Sequence, residues 1–243
     1  EADPSLDIDG FDTAHKACIL SALAYGFQPS LDQVQVEGIR NLSGKDVQYA
    51  ADFGYRIKLL AVVAKHDADI EVGVHPTLVP FDHMLASVNG VFNAAMVRGD
   101  MVGDTMFYGR GAGRLPTAST VVGDIGDIAR NMAHGEVRYA RAVPTYGEGV
   151  TKLRAPGDIV SRFYLRFNVA DKAGAFGTMT TILGRNGVSI SAAAQKTANV
   201  DEKGFVPVVV LTHPAPAKAV DAALAEIREA GILNESPVKL RML

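Results

Sequence analysis

Residues 1–16 concentrate the groups most able to do chemistry. Glu1, Asp3, Asp7, Asp9 and Asp12 place five carboxylates within twelve residues, and Lys16 closes the run where an uncharged stretch begins. Like charges at this density repel, so a fold keeps them where they bind a cation, cap a helix or stay in water. Asp12 and Lys16 are four apart and share a face if the segment is helical. Two readings of that pair stand side by side. One is a partly exposed ion pair worth roughly 0.3–0.5 kcal/mol. The other is a proton-transferring lysine oriented by Asp12, with Glu1, Asp3 and Asp7 on the preceding turn available to hold a substrate ammonium.

The element that must position these groups is a helix. Asp9 is a candidate N-cap, with Gly10, Phe11 and Asp12 in the first turn and Asp9-x-x-Asp12 spaced like a capping box. Residues 17–24 carry no charge, which predicts a helix buried over most of its circumference. A second helix is expected over residues 45–53, then strands over 55–65 and about 70–75, and a pair at 91–98 and 101–108 joined by a Gly99-Asp100 hairpin signal. The first part is therefore expected to be a helix-covered antiparallel sheet. Gly109, Gly111 and Gly113 form a loop before a helix over residues 116–133 with Pro116 in its first turn. Such a loop can bring backbone N–H groups close to a phosphate or a flat ring, but its spacing differs from the dinucleotide fingerprint and it follows an antiparallel hairpin, so a tight turn is the stronger reading from spacing alone.

Residues 141–157 hold three glycines and two prolines with little periodicity and read as a linker. Beyond them the pattern is strand, helix, strand, strand, helix, strand. Leu165, Phe167 and Val169 alternate with polar residues, Asn186-Gly187 stops the first helix, Val220, Leu224 and Ile227 line the second, and Val238, Leu240 and Met242 alternate at the end. That βαββαβ order is ferredoxin-like, and the fold class is α+β.

The composition is that of a globular protein, with 243 residues, 48% hydrophobic, 21% charged and a net charge of −3. No basic run with interleaved aromatics argues for nucleic acid. No apolar run reaches the length of a membrane span. The histidines lack metal-ligand spacing, so no metal residues are assigned. Cys18 is the single cysteine, which excludes an internal disulfide and fits a reducing, cytoplasmic setting.

Together these residues resemble the homoserine dehydrogenase family. The match rests on the opening Glu-x-Asp-Pro-x-x-Asp-x-x-Gly-x-Asp-x-x-x-Lys, on the loop from Gly109 to Gly113 followed by Pro116-Thr-Ala, and on residues 162–243, which look like an ACT domain. The resemblance implies catalytic roles for Lys16 and Asp12 and substrate-binding roles for Glu1 and Asp7. It places Gly109, Gly111 and Gly113 near a nicotinamide, and Asp171, Gly174 and Asn186 in an effector site where threonine is the usual ligand. Asp171-Lys-Ala-Gly174 stands where that module often has Asp-x-Pro-Gly, so a proline's constraint is lost. The implied reaction interconverts aspartate 4-semialdehyde and homoserine with NAD(P), on the route to threonine, methionine and isoleucine. The implied organisation is a catalytic and dimerisation domain over residues 1–140, a linker over 141–160 and an ACT regulatory domain over 161–243, in a homo-oligomer. The family's N-terminal Rossmann domain has no counterpart in these residues. The chain reads as the C-terminal part of a longer enzyme, expected to bind little NAD(P) alone and to act by itself as an inactive regulatory or oligomerisation module.

Overall fold

The computed structural model describes residues 3–135, 152–195 and 204–243. Packing divides the chain into one body of residues 1–80 and 145–243 and another of residues 81–144.

The larger body begins with a single helical turn, α1 (Ser5–Ile8), and α2 (Phe11–Tyr25). Asp9 does not cap α2. Gly10 holds the N-cap in a left-handed conformation at φ 86°, and a Cβ there would come within 3.2 Å of Val36 and Val74. The chain turns too tightly at this point for any residue but glycine. Nor is α2 buried over most of its circumference. Ala14, Ala17, Cys18, Ser21 and Ala22 form its inward face, while Ile19, Leu20 and Leu23 remain about half exposed. The absence of charge suggested burial all round, but small side chains on one face alone let the helix lie close to the sheet.

Next come a short strand, β1 (Gln35–Val36), helix α3 (Gly44–Asp52) and the long antiparallel pair β2 (Tyr55–His66) and β3 (Asp69–Pro80). Ser43 and Asp46 build a reciprocal capping box at the start of α3.

In the smaller body, β4 (Phe92–Gly99) and β5 (Gly103–Arg110) form a two-stranded sheet of their own. Their connection spans residues 100–102, one longer than the expected turn, and Gly103 takes φ 73° at its close. A three-residue loop ending in a left-handed glycine suits strand twist as a two-residue primed turn does. Helix α4 (Arg114–His134) follows and buries none of its residues. Val121, Val122, Ile125 and Ile128 lie along it exposed.

The chain re-enters the larger body at β6 (Lys152–Leu153) and a 3-10 turn (Pro156–Asp158). Most of the expected linker lies outside the described residues, but its last part is structured. The ferredoxin-like unit then runs β7 (Val160–Ala170), α5 (Ala175–Arg185), β8 (Ile190–Gln195), β9 (Phe205–Thr212), a bridge strand β10 (Ala215–Pro216), α6 (Ala217–Glu229) and β11 (Val238–Met242). Its four principal strands lie in the order β11-β7-β9-β8, all antiparallel.

One continuous sheet joins the two ends of the chain. With β2 along one edge of β3, the other edge receives β6 at Asp69–Ile70, β1 at Gly73–Val74 and β11 at Thr77–Leu78, each parallel to it. Both faces of the ferredoxin-like sheet are covered. Phe163, Leu165 and Phe167 pack under α5 and α6 with Met179, Leu183 and Ile227, while Tyr164, Leu211, Leu240 and Met242 meet Tyr49 and Ala50 of α3 on the opposite face. Burial on both sides explains why β9 reads as an almost unbroken apolar run, Val206 to Leu211 interrupted only by Pro207.

Candidate functional site

The acidic start of the chain folds around the Gly10 turn. Asp3 accepts a hydrogen bond from the Ser5 backbone N–H at 3.0 Å, and its hydrogen bonds with Ser5 hold its carboxyl below the usual range. Asp9 is taken up by Arg40, whose Nε and Nη2 each donate at 2.9 Å in a bidentate pair that also lowers the Asp9 pKa. The backbone reinforces this clamp. Ile39 N donates to Ile8 O at 2.8 Å, and Gly38 lies so close to α1 that a Cβ would sit 2.4 Å from Ile8 O. Two of the acids are thus occupied in holding α1 and the Gly10 turn.

The others remain available. Asp12 and Lys16 meet across one turn of α2, with Nζ donating to Oδ2 at 2.5 Å, and the two side chains are 42% and 62% exposed respectively. Asp7 is exposed, and its carboxylate makes no hydrogen bond or ion pair among the described residues. Glu1 lies outside the described residues. The structure therefore brings Asp12 and Lys16 together at a helix start open to solvent. It leaves Asp7 one element earlier, with no hydrogen bond or ion pair to either.

The glycine loop belongs to the smaller body. Gly109, next to last in β5, lies opposite Asn93, and an added Cβ would meet nothing within 4 Å. Gly113 is the N-cap of α4, at φ 133°. Gly111 is different. A Cβ there would run into the end of the Asn93 side chain, which would have to swing aside.

The three expected effector residues do not gather at one point of this chain. Asp171 and Gly174 lie at the start of α5 and Asn186 at its end, about 16 Å away along an eleven-residue helix. Gly174 is the N-cap at φ 88°, and the Asp171 side chain is exposed. Asn186 is committed to structure, its amide donating to Ile182 O at 3.0 Å and to Glu226 at 2.9 Å.

A buried ionic network went unseen in the sequence. Asp46, fully buried, accepts from Arg166 Nε at 2.6 Å, from Ser43 Oγ at 2.6 Å and from the Tyr164 hydroxyl at 3.2 Å, while Arg166 Nη1 reaches Glu235 at 2.6 Å. Burial by itself would raise the Asp46 carboxyl, but the Arg166 and Ser43 hydrogen bonds outweigh it and keep the pKa low. Burial and the neighbouring Asp46 carboxylate push the Tyr164 phenol well above its ordinary value. Ser43-x-x-Asp46 was a readable capping signal. Its partner 120 residues away was not.

Among the described residues, no group of three His, Cys, Asp or Glu side chains could hold a metal ion. No described helix is long and apolar enough to cross a membrane.

Fold and site define an α+β protein in which a ferredoxin-like unit is fused by a shared sheet to a segment with an exposed lysine–carboxylate pair. Residues 1–125 match the family model for homoserine dehydrogenase and residues 163–229 the model for the ACT domain. The chain belongs to the homoserine dehydrogenase family. It is 41% identical to a homoserine dehydrogenase of Neisseria gonorrhoeae and 37% identical to one of Pseudomonas aeruginosa, in each case over 100% of this chain and 56% of the relative. A crystal structure of a homoserine dehydrogenase from Thiobacillus denitrificans superposes with a TM-score of 0.88 at 36% identity, covering 100% of this chain and 55% of that one. One from S. aureus superposes at 0.70 with 27% identity, covering 100% and 56%. The chain thus spans little more than half the length of these relatives.

Proposed function

We propose that the chain supplies the substrate-handling and regulatory part of a homoserine dehydrogenase that interconverts L-aspartate 4-semialdehyde and L-homoserine. The observation that carries this reading is the Asp12–Lys16 pair at the solvent-facing start of α2. An exposed lysine whose ion-pair partner among the described residues is a carboxylate on its own helix can leave that partner when a substrate oxygen arrives. Lys16 would deliver or take the proton at that oxygen, directly or through a water, and Asp12 would orient it. Asp7 and Glu1 would hold the substrate ammonium by charge-assisted hydrogen bonds.

Hydride chemistry would come from NAD(P). Gly109 and Gly113 fit the edge of a nicotinamide, because an added Cβ at Gly109 meets no atom within 4 Å and at Gly113 nothing nearer than Pro116 at 3.4 Å. Gly111, on the same loop, would permit the same close approach once the Asn93 side chain swings aside. Replacing Lys16 with Ala in a full-length enzyme is expected to lower kcat by roughly 10²–10⁴. Unchanged turnover would remove Lys16 from the mechanism.

A second reading concerns the chain taken alone: an inactive regulatory and oligomerisation module. It is supported by the 56% span of the relatives and by the lack, in the glycine loop, of the dinucleotide fingerprint spacing. Homoserine turnover by the purified 243-residue chain under NADPH titration would refute it. The ACT unit would bind a pathway amino acid, threonine first among them, through Asp171, Gly174 and Asn186. Since α5 keeps Gly174 and Asn186 apart, such a site needs groups from two copies, which agrees with a homo-oligomer. Calorimetry with threonine tests this, and absence of heat favours a purely structural ACT contact. We place the protein in the cytoplasm, in threonine, methionine and isoleucine biosynthesis. Its one cysteine, Cys18, is buried and free, as a reducing compartment allows.

A further inference from the structure

Helix α1 carries Asp7, yet no apolar packing anchors it. It is a single turn of four residues, none of them buried, and Leu6 is 64% exposed. A helix this short does not hold itself together in water. What fixes it is the chain that follows β1. Arg40 reaches both ends of α1. Its Nε and Nη2 each donate to the Asp9 carboxylate at 2.9 Å, where α1 stops, and Nη2 lies 3.5 Å from Ser5 Oγ, where α1 starts. One residue earlier, Ile39 N donates to Ile8 O at 2.8 Å, and Gly38 lies so close that a Cβ would sit 2.6 Å from Asp9 Cα.

The segment that carries Arg40 is itself pinned at both ends. Before it, β1 pairs with Gly73 and Val74, and Glu37 N donates to Val74 O at 2.7 Å. After it, Leu42 N closes a turn on Ile39 O at 3.1 Å, and Ser43 opens α3 in its capping box with Asp46, whose carboxylate Arg166 holds at 2.6 Å. A guanidinium on a free loop would fix little, since exposed ion pairs are weak. A planar fork on a braced segment sets direction as well as distance. The clamp also sits between the groups that the reaction needs. Asp9 follows Asp7 by two residues and precedes Asp12 by three, and the intervening Gly10 donates back to Asp7 O at 3.1 Å and caps α2. Helix α2 has an anchor of its own, because Ala17 and Cys18 are buried with Ile70 and Val72 of β3. Asp12 and Lys16 therefore keep their place without the clamp, and Asp7 does not.

We propose that Arg40 is a positioning residue for the substrate: through Asp9 it holds α1 so that Asp7 stays where the substrate ammonium must bind, in fixed relation to Asp12 and Lys16. This rests on the proposed function, in which Asp7 binds the ammonium and Lys16 moves the proton. Arg40 itself touches neither substrate nor cofactor in this role. Its loss should fall on substrate binding and spare the proton step, because the lysine rides on the separately anchored helix.

The test compares Arg40→Ala, Arg40→Lys, Asp9→Ala and the Arg40→Ala/Asp9→Ala double variant in a full-length enzyme that contains this chain, with Lys16→Ala alongside. Arg40→Ala should raise KM for homoserine by about 10-fold or more, as misplacing a substrate-binding group does, with kcat and KM for NAD(P) nearly unchanged. Arg40→Lys keeps the charge without the fork and should fall between the parent and Arg40→Ala. Asp9→Ala should reproduce the effect, and the double variant should be no worse than either single one, since all three remove the same contact. A purely structural pair would instead lower the urea midpoint of the 243-residue chain and leave KM of the folded enzyme alone. The proposal is overturned if Arg40→Ala leaves KM for homoserine unchanged, if the two single effects add, or if kcat falls as far as KM rises. Lost turnover in Lys16→Ala beside an unchanged KM in Arg40→Ala overturns the clamp alone. Unchanged kcat in Lys16→Ala overturns the proposed function on which the clamp rests.

Discussion

Two carboxylate–cation pairs on neighbouring helices of the larger body show how burial separates chemistry from architecture. Asp12 and Lys16, four residues apart on α2, pair at 2.5 Å and are substantially exposed. Asp46, at the start of α3, is fully buried and takes hydrogen bonds from Ser43, Tyr164 and Arg166, the last from a strand 120 residues further on. A buried charge must be satisfied by fixed groups, and groups so fixed cannot move to a substrate. An exposed pair is held weakly, which leaves both members free to exchange partners. On the proposed function, the similar chemistry of the two pairs serves opposite uses.

Substitutions can break that contrast, and the largest effect belongs to the exposed pair. Lys16→Ala, measured as kcat in a full-length enzyme, should cost roughly 10²–10⁴, while the denaturation midpoint of the 243-residue chain shifts hardly at all. Lost turnover with an equal loss of stability would mean that Lys16 is architectural after all. Asp46→Ala should do the reverse. Stranding Arg166 beside the Tyr164 hydroxyl should destabilise the fold by about 3–5 kcal/mol in urea titration. A change below about 1 kcal/mol would show that the network is as loose as a surface pair.

Gly38→Ala tests the clamp beneath the exposed pair. Its Cβ would meet Ile8 O at 2.4 Å, backbone that cannot yield without shifting α1, so about 1–3 kcal/mol of stability should be lost. Asp12→Ala is the smallest in stability, about 0.3–0.5 kcal/mol by thermal unfolding.

Acid should sharpen the same contrast through His75. Its folded pKa of about 3 lies below the ordinary 6.5, so protonation favours the unfolded chain. The neutral ring's contribution is complete above pH 6.5 and is lost as pH falls from there toward 3. The slope should approach about 1.4 kcal/mol per pH unit inside that window. His75→Gln should flatten this limb of a stability–pH profile. Asp46 acts lower, because its depressed pKa makes its contribution present above pH 3.8 and lost only as pH falls through the folded value. A parent profile with no slope between pH 6.5 and 4 would mean that His75 is hydrated in solution.

Legibility from sequence followed the range of the interactions. The ferredoxin-like unit was readable because each of its strands and helices carries its own period, and Val238, Leu240 and Met242 alternate whatever lies beside them. The Asp12–Lys16 pair was readable because a helix fixes residues four apart. The cap of α2 was misread because Asp9 had a competing partner, Arg40, 31 residues away. The exposure of Ile19, Leu20 and Leu23 was missed because an uncharged run does not say which of its faces meets the sheet.

The sequence by itself determined the elements, the βαββαβ order and the lysine with its carboxylate, because these depend on neighbours within a turn or a strand. Only the tertiary structure decided that β6, β1 and β11 share one edge of β3, that Arg166 closes on Asp46, and that His75 is buried with Nε2 unmet among the described residues. Each of those joins residues far apart in the chain. No local period records a partner that arrives only when the sheet is assembled.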